Sequence, residues 1–554
     1  MPSSISKVYL QKSTSRHFEL TTSDYTAPKD FALTHTLSWP QRGSRSTEEV
    51  HASLKEGLSR LVRDVPQLCG TLQRGSNDLR QLFLKIDVSA HVVFEFQNLS
   101  NNHGLPSYDE FKRDHFPISE VHSVFQPAIL QQPVLEGSPM MGAKMCVIKG
   151  GYTLAFGFNH VLADGTSASE LESLWAQHTV DTSAGESFVS HRKYERGVDE
   201  AIRKRLSSPQ SGAEKLRQND QLWRTVPASQ SLTSLHTSMG SVLESVVGMM
   251  DRKEAYSASR AETPVVKKWH LWRFRPQSLK SLKADSTSPG SDGWVSTSNA
   301  LIGLFWSRIA AIQKISSTGQ QTSTVLMPIS MRQRFDPPIA TTFIGNAVSM
   351  AFASCTLAAL EATDGISALQ SAALSLRKAV QTWSLSEFDA FLNTVQSLPP
   401  DQGMMVRSEL VFDRFRIVCN DCTHFKSNRL DWGRHLGVPA PTRFPMPAAL
   451  IFGATSIVVH PKLPDGSLEV VVSLSEADGK ALREDEAFLR YAPDFLCVLP
   501  AGKPFRVTAL LRLSVRMLLI YERLTRRAVW KWGAVVLIVA ASLFITGRRG
   551  VGNS

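Results

Sequence analysis

The chain has 554 residues but only six cysteines, and its first twenty residues are polar and contain no continuous apolar stretch. A secretory signal peptide requires an apolar segment of about 7–15 residues, so we predict no such signal here. Small secreted domains that depend on disulfides are rich in cysteine, and this chain is not. The sequence therefore predicts a reducing compartment, with the main body of the protein facing the cytosol.

Zinc ligands are also scarce in the sequence. Cys419 and Cys422 form a C-x-x-C pair with His424 close by, which could supply half of a zinc site. A structural zinc ion needs four ligands, and the sequence offers neither a second C-x-x-C nor a suitably spaced histidine pair. We therefore predict no metal site.

Excess charge is absent from most of the chain. The formal net charge is +11, but residues 506–554 contain nine Lys or Arg and one acidic residue, so they carry +8 of it. A nucleic-acid-binding surface requires a concentration of basic residues. The nearly balanced main body is therefore not predicted to bind nucleic acid.

The sequence does contain a strand, a turn and a helix with chemically useful side chains. Residues 152–158 alternate bulky with small side chains, which predicts a strand. Ser167-Ala168-Ser169-Glu170 fits a capping box, which predicts that a helix begins there. His160 and Asp164 lie between these elements, where a rigid edge of the core suits a general base. The alternative is a hydrogen-bonded turn histidine without chemistry, because H-x-x-x-D recurs by chance.

Periodicity elsewhere predicts a mixed α/β chain of two domains, because this length exceeds one ordinary core. Residues 207–264 are rich in small and polar residues and are predicted to cross between the domains, with a helical piece at Ser241–Met249. Residues 105–117 are predicted to form turns. The predicted helices cover Glu48–Arg63, Thr297–Ile312, Ile366–Trp383, Leu385–Leu398 and Ala477–Ala492, and the predicted strands cover Gln81–Ile86, His91–Phe96, Met140–Ile148, Trp269–Phe274, Thr324–Ile329 and Leu468–Leu474.

Four separated stretches occur in the order and spacing of one known family. They are Pro66-x-Leu68-x-Gly70-x-Leu72, His160-x-x-x-Asp164-Gly165, Arg332-x-Arg334 with Phe343-x-Gly345-Asn346-Ala347, and Asp431-Trp432-Gly433 with a displaced second glycine at Gly437. Together they resemble the motifs of the BAHD-type acyltransferases, in the branch of the fungal secondary-metabolite O-acetyltransferases that is similar to the trichothecene 3-O-acetyltransferases. The resemblance extends from about residue 7 to residue 492.

The resemblance implies an α/β fold of two chloramphenicol-acetyltransferase-like domains with a channel between them. Residues 1–206 would form the N-terminal domain with the H-x-x-x-D motif, residues 207–264 the crossover linker, and residues 265–495 the C-terminal domain. The family also suggests a monomer.

The same resemblance implies roles for the motif residues. His160 would be the general base. Asp164 would be structural, orienting the loop through an arginine that the sequence does not identify. Arg332 or Arg334 could hold the coenzyme phosphates, since a guanidinium matches phosphate geometry. Solvated surface arginines are the alternative for these two.

The remaining motifs would shape the site without taking part in the chemistry. Asp431, Trp432 and Gly433 would lie away from the histidine and shape the coenzyme side, while Gly345 and Asn346 would pack near the domain interface. The alternatives are an ordinary D-x-G turn and a β-turn.

The implied activity is transfer of an acyl group from acetyl-CoA or another acyl-CoA to a hydroxyl of a hydrophobic secondary metabolite, such as a terpenoid or alkaloid. No covalent enzyme intermediate and no permanently bound cofactor are implied, and N-acylation is chemically equivalent. One alternative is a condensation-type domain acting on carrier-bound acyl groups, although that class usually has a second histidine where this chain has Asn159. The other is a catalytically inactive membrane-tethered binding protein.

Residues 496–554 lie beyond the family pattern and combine basic with apolar residues. Residues 507–521 are apolar, with arginines such as Arg512 and Arg516 on one helical face, as in an interfacial helix. Trp532–Gly547 is an uncharged stretch of sixteen residues, and a snorkelling Lys531 extends it to about 528–547. We predict a single-pass C-terminal anchor with a cytosolic catalytic domain. There are two alternatives to this anchor. One is a cytoplasmic protein whose tail forms a peripheral hairpin, and the other is an out-of-frame or unspliced extension of the gene.

The expressed full-length protein is expected to stay in the membrane fraction after alkaline carbonate extraction, because a spanning helix resists extraction and a peripheral one does not. The double substitution Leu537→Arg and Ile538→Arg should release it, since each arginine at the centre of a span costs about 2.5–3.5 kcal/mol. Release of the unaltered protein would exclude the anchor.

Overall fold

The computed structural model describes residues 3–10, 15–27, 32–41, 46–75, 82–116, 122–131, 135–192, 196–207, 223–227, 267–287, 294–315, 321–399, 402–406, 416–442, 444 and 455–499. The helices in these ranges are α1 (Thr22–Tyr25), α2 (Thr47–Asp64), α3 (Tyr108–Arg113), α4 (His122–Phe125), α5 (Gly165–Ala184), α6 (Arg196–Ser207), α7 (Pro276–Asp285), α8 (Thr297–Gln313), α9 (Leu357–Leu360), α10 (Gly365–Thr382), α11 (Leu385–Ser397), α12 (Glu476–Glu484) and α13 (Glu486–Leu489).

The strands are β1 (Ser4–Tyr9), β2 (Arg16–Glu19), β3 (Ala32–Pro40), β4 (Thr71–Arg74), β5 (Leu82–Ile86), β6 (His91–Asn98), β7 (Met141–Ile148), β8 (Gly151–Asn159), β9 (Trp223–Pro227), β10 (Lys268–Phe274), β11 (Thr322–Ser330), β12 (Val348–Thr356), β13 (Gln402–Val406), β14 (Ile417–Asp421), β15 (Thr455–Val459), β16 (Leu468–Leu474) and β17 (Asp494–Leu499).

A five-stranded sheet in the order β1-β6-β7-β8-β3 forms the first core. Strands β6 and β7 are parallel, and the other neighbours are antiparallel. Helices α2 and α5 share one hydrophobic core with it. Val50, Leu54 and Leu58 of α2 are fully buried, because their spacing places them on one helical face. A smaller sheet, β2-β5-β4, adjoins this core.

A seven-stranded sheet in the order β12-β11-β14-β15-β16-β10-β17 forms the second core. Strand β14 runs parallel to β11 and to β15, and the remaining neighbours are antiparallel. Helices α8, α10 and α11 pack on it within one large hydrophobic cluster. The predicted mixed α/β architecture is confirmed. The strands of the first sheet lie between β1 and β8 in the chain, and those of the second lie between β10 and β17.

The predicted helices and strands are found within a few residues of their predicted ends, with three differences. The stretch predicted as turns contains α3, because Ser107 and Glu110 form a capping box. Phe111 of α3 packs in a cluster with Ala155 of β8, so both faces of β8 are buried. The last predicted helix is divided between α12 and α13, because Asp485 caps the second piece.

The third difference concerns the ends of the predicted domains. Strand β17 pairs with β10 along the edge of the second sheet, so residues up to Leu499 belong to that sheet and not to the tail. Strand β9 of the predicted crossover pairs with β13. The helix predicted at Ser241–Met249 and the membrane anchor predicted at 528–547 lie outside the described residues. No helix within the described ranges is long and apolar enough to cross a bilayer.

The second half of the chain inserts a tryptophan into the core of the first half. Trp432 is completely buried, and its ring lies 5.7 Å from that of Trp39 and 5.6 Å from that of Trp175, both edge-on. The Trp39 indole N–H donates to the carbonyl of Gly437 at 3.1 Å. The two halves therefore share hydrophobic core as well as surface.

Truncating this tryptophan should destabilise the protein strongly. We expect Trp432→Ala to lower the free energy of unfolding by about 3–5 kcal/mol, because a fully buried aromatic leaves a cavity. Urea denaturation of both proteins measures the difference. Trp294→Ala is the matched control, since Trp294 is 56% exposed. Equal effects of the two substitutions would contradict the shared core.

Candidate active site

His160 follows the last residue of β8 and begins a tightly anchored loop. The side chain of Asn159 accepts a hydrogen bond from the N–H of Val161 at 3.0 Å, and its backbone N–H donates to the carbonyl of Met140. Val161, Leu162 and Ala163 are buried in the first core. The His160 side chain is half-buried. The loop therefore holds one imidazole at the margin of the core, where solvent reaches it.

Asp164 is held in a buried ion pair with Arg332 from the second half of the chain. Nη1 of Arg332 donates to Oδ2 of Asp164 at 2.6 Å, and Nη2 donates to Oδ1 at 3.1 Å. The backbone N–H groups of Ser167 and Ala347 donate to the same carboxylate, each at 2.9 Å. Both charged side chains are at most 3% exposed. Arg332 is the arginine partner that the sequence could not identify.

The start of α5 differs from the prediction as a consequence of this pair. Asp164, not Ser167, is the N-cap, because its carboxylate accepts from the N–H of Ser167. The Ser167 hydroxyl instead donates to the Gly345 carbonyl at 2.8 Å and accepts from Arg332 at 2.9 Å. A capping carboxylate satisfies helix N–H groups that lack a partner.

Burial and pairing act in opposite directions on the pKa of Asp164. Burial alone raises the pKa of a carboxyl, because it disfavours the charge. The Arg332 guanidinium and the two backbone N–H groups outweigh this effect, so the pKa of Asp164 lies below its usual value. Asp164 is therefore a carboxylate at neutral pH and serves as a structural anion.

The structure corrects the prediction that Arg332 or Arg334 holds coenzyme phosphates. The guanidinium of Arg332 is buried and directed at Asp164, so it does not face a ligand. Arg334 donates to the backbone carbonyls of Ser330, Val380 and Trp383. It thereby ties the end of β11 to the C-terminal end of α10. Both arginines have internal partners, which sequence spacing alone did not indicate.

Residues 343–347 lie directly beneath the His160 loop. Gly345 contributes its carbonyl to Arg332 at 3.1 Å. Asn346 is completely buried, and its Nδ2 donates to the carbonyls of His160 at 2.9 Å and Val161 at 3.0 Å. The motif predicted to pack near the domain interface thus hydrogen-bonds to the backbone of the candidate base.

The segment after β14 closes over the N-terminal end of α5. A Cβ on Gly165 would lie 2.5 Å from Cζ of Phe425, so only glycine permits this aromatic ring to approach the helix. Further along, the N–H of Lys426 donates to the Ser169 hydroxyl at 3.3 Å, and the Ser427 hydroxyl donates to Glu172 at 2.6 Å. The second half of the chain therefore packs along the N-terminal part of α5, the helix that follows the His160 loop.

His424 brings a second imidazole near this site, and the sequence had suggested it only as a metal ligand. Its side chain is exposed and packs on the ring of Phe425 at 4.5 Å. Neighbouring protein atoms still shield part of the ring from water, and this partial desolvation is the main cause of its lowered pKa. The Arg332 charge lowers the pKa further, while Asp421 and Asp164 oppose the shift. No local sequence signal marks His424, because its place depends on the packing of Phe425.

The Asp431-Trp432-Gly433 loop lies at the other end of α5. The Asp431 carboxylate accepts from the N–H of Gly433 at 2.9 Å. Gly433 has φ +87°, and a Cβ there would lie 2.4 Å from the Ser183 hydroxyl oxygen, so glycine is required. Ser183 is roughly 27 Å along the helix axis from Gly165 at 1.5 Å per residue. The loop therefore acts on packing and not on the reacting atoms.

Taken together, the site has one half-buried imidazole, a buried ion pair that anchors its loop, and packing contacts between the two halves of the chain. Such an arrangement can accept and return a proton where the two halves of the chain meet.

Comparison with known proteins shows the family to which the chain is related. The profile of the Transferase family matches residues 9–489. Acyltransferase clz6 of Cochliobolus lunatus is 38% identical over 480 residues, which are 86% of this chain and 95% of that protein. Acyltransferase M4 of Phoma sp. is 38% identical over 481 residues, with the same coverage of both chains.

Solved structures show the same fold at much lower identity. The crystal structure of F. graminearum TRI101 complexed with coenzyme A and deoxynivalenol superposes with a TM-score of 0.65 and 15% identity. It covers 87% of this chain and all of that one. At this identity the comparison establishes the fold alone.

Neutralising Asp164 should destabilise the protein in a pH-dependent manner. We expect Asp164→Asn to cost about 3–5 kcal/mol at pH 7, because it leaves the buried Arg332 charge uncompensated. The folded pKa of Asp164 is lowered, so the stabilisation is fully present above the unfolded value of about 3.9 and is lost as the pH falls through the folded value. The deficit of the variant should therefore shrink in acid.

Urea denaturation of wild type and Asp164→Asn at pH 7 and at successively lower pH measures this. Asp485→Asn, which removes a carboxylate from the more exposed pair with Arg308, is the control and should cost less. An Asp164→Asn protein as stable as wild type at pH 7 would contradict the structural role.

Proposed function

The chain belongs to the Transferase family, the BAHD-type acyltransferases, and on this premise we propose that His160 is the general base of an acyl-CoA-dependent O-acyltransferase. The protein is an acyltransferase by its family and relatives. The observation that carries the proposal is that a buried ion pair from both halves of the chain fixes the loop of one half-exposed histidine. That is how a reactive imidazole is kept in position.

In the proposed reaction, a nitrogen of His160 takes the proton from the acceptor hydroxyl as its oxygen attacks the thioester carbon. The C–S bond then breaks, and the proton passes from the imidazolium to the departing coenzyme A sulfur. The new ester bond is formed directly, so no covalent enzyme intermediate is needed. An imidazole suits both transfers, because its ordinary pKa of about 6.5 lies near neutral pH.

Asp164 does not form a catalytic dyad with His160 in this proposal. Its two carboxylate oxygens are directed at Arg332, Ser167 and Ala347. Its charge is therefore neutralised within the core, and replacing it affects the reaction through the shape of the loop. This distinguishes the site from a Ser-His-Asp triad, in which the aspartate contacts the histidine.

The proposed substrates are acetyl-CoA or another acyl-CoA and a hydroxyl group of a hydrophobic secondary metabolite. The relation to acyltransferases clz6 and M4 supports the acyl transfer. The F. graminearum TRI101 structure, which holds coenzyme A together with deoxynivalenol, supports the pairing of a coenzyme A donor with a small-molecule acceptor. We further propose that the protein acts as a monomer and that its tail holds it at a membrane with the catalytic domain in the cytosol.

Free-thiol release from acetyl-CoA, in the presence of a panel of hydrophobic alcohols, tests the proposal. We expect acceptor-dependent release by the wild type, and a loss of about 10²–10⁴-fold in kcat for His160→Ala, which removes a general base. His103→Ala is the matched control, because this histidine is exposed in a surface loop, and its activity should equal that of the wild type.

Equal activity of His160→Ala and wild type would remove His160 from the mechanism. No thiol release by the wild type, combined with no binding of acetyl-CoA in calorimetry, would favour the inactive binding protein or a donor other than acyl-CoA.

A further inference from the structure

A second buried carboxylate lies beneath the His160 loop, and the reaction described above gives it no role. Asp24 belongs to the short helix α1 and is 1% exposed. Its Oδ2 accepts from the N–H of Thr21 at 2.8 Å and from the Thr21 hydroxyl at 2.9 Å, which completes a capping box. A capping box accounts for one carboxylate oxygen only. The other oxygen points away from its own helix.

That other oxygen binds Asn346. Oδ1 of Asp24 accepts from the backbone N–H of Asn346 at 2.9 Å and from its Nδ2 at 3.0 Å. The same Nδ2 group lies against the carbonyl oxygens of His160 and Val161. Because all three neighbours are acceptors, the amide must present its NH₂ group to them. The orientation of Asn346 is therefore fixed, and it connects Asp24 to the backbone of His160.

The charge of Arg203 and the hydrogen bonds from Thr21 and Asn346 favour the carboxylate form of Asp24. Burial has the larger and opposite effect, so the pKa of Asp24 lies above its ordinary value even though these contacts lower it. Arg203 also donates to the Ile344 carbonyl at 2.8 Å. Residues 343–347 are thus held on one side by Arg332 and Ser167, and on the other by Asp24 and Arg203.

We propose that Asp24 is a positioning residue for His160, acting through the side chain of Asn346. The proposal rests on the proposed function, in which His160 is the base. Fixing the His160 carbonyl restricts the backbone torsion that directs the imidazole. A misplacement of about 1 Å in a catalytic group can lower the rate by as much as about 10²-fold. We therefore expect the two hydrogen bonds from Asn346 to the carbonyls of His160 and Val161 to matter more for turnover than for substrate binding.

The test compares Asp24→Ala, Asp24→Asn and Asn346→Ala. Asp24→Ala and Asn346→Ala should each lower kcat by about 10–100-fold, with KM for acetyl-CoA changed less than about threefold. Their double variant should lose no more than the worse single one, because both act through one path. In Asp24→Asn the amide oxygen can still accept both Asn346 N–H groups, so it should restore most of kcat although the contacts with Thr21 weaken.

Asp389→Asn is the matched control, since Asp389 is also a buried carboxylate, paired with Arg205 at the neighbouring interface of α6 and α11. It should lower stability in urea and leave kcat unchanged. If the Asp24 and Asn346 variants lose only stability, as the control does, or if Asp24→Asn is as slow as Asp24→Ala, the positioning role is excluded.

A readout independent of turnover separates this proposal from the proposed function. In protein labelled at histidine Cε1 with ¹³C, the His160 resonance is identified by its absence in His160→Ala. Asn346→Ala and Asp24→Ala should shift that resonance, whereas Asp389→Asn should not. If these variants shift the resonance but the wild type releases no thiol, the positioning is supported and the acyltransferase chemistry is contradicted. An unshifted resonance would overturn the positioning whatever the activity.

Discussion

The ion pair between Asp164 and Arg332 is the interaction on which the site depends. It joins residues 168 positions apart, one from each half of the chain, and places both charges where water does not reach. Removing charges from water costs several kcal/mol per ion, so a pair of this kind persists only with good geometry and further hydrogen bonds. Ser167, Gly345 and Ala347 supply those bonds. The loop of His160 can form in this shape only when both halves have folded and met.

Apolar contacts act in the same direction as the ion pair. Trp432 fills the first core from the second half of the chain, and Phe425 covers Gly165 at the start of α5. Burial of large aromatic side chains supplies much of the free energy that holds two domains together. The ion pair then determines the register in which they meet, because it tolerates little displacement. Stability and the position of the candidate base are therefore properties of one interface.

Much of the fold could be predicted because it follows from local periodicity. The apolar stripe of α2 and the alternation along β16 depend on neighbours in sequence, and both elements lie where predicted. Strand β17 was missed because its formation depends on the sheet that it extends. Helix α3 was missed although its capping box, Ser107 and Glu110, is a local signal. His160 and Asp164 were identified from their motif and its setting. The sequence did not reveal three other features, because each joins residues distant in the chain or depends on the direction of a side chain. They are the partner of Asp164, the role of Arg334 and the contact of Asp24 with Asn346.

One buried ion pair, between Asp164 and Arg332, couples the two halves of the molecule at the site. A double-mutant cycle on the free energy of unfolding, with Asp164→Ala, Arg332→Ala and the double variant, measures this coupling directly. Close charge pairs at interfaces couple by about 1.5–7 kcal/mol. We predict a coupling energy in that range, with the double variant more stable than the sum of the single losses implies. Effects that add within about 0.5 kcal/mol, as for independent sites, would contradict the account.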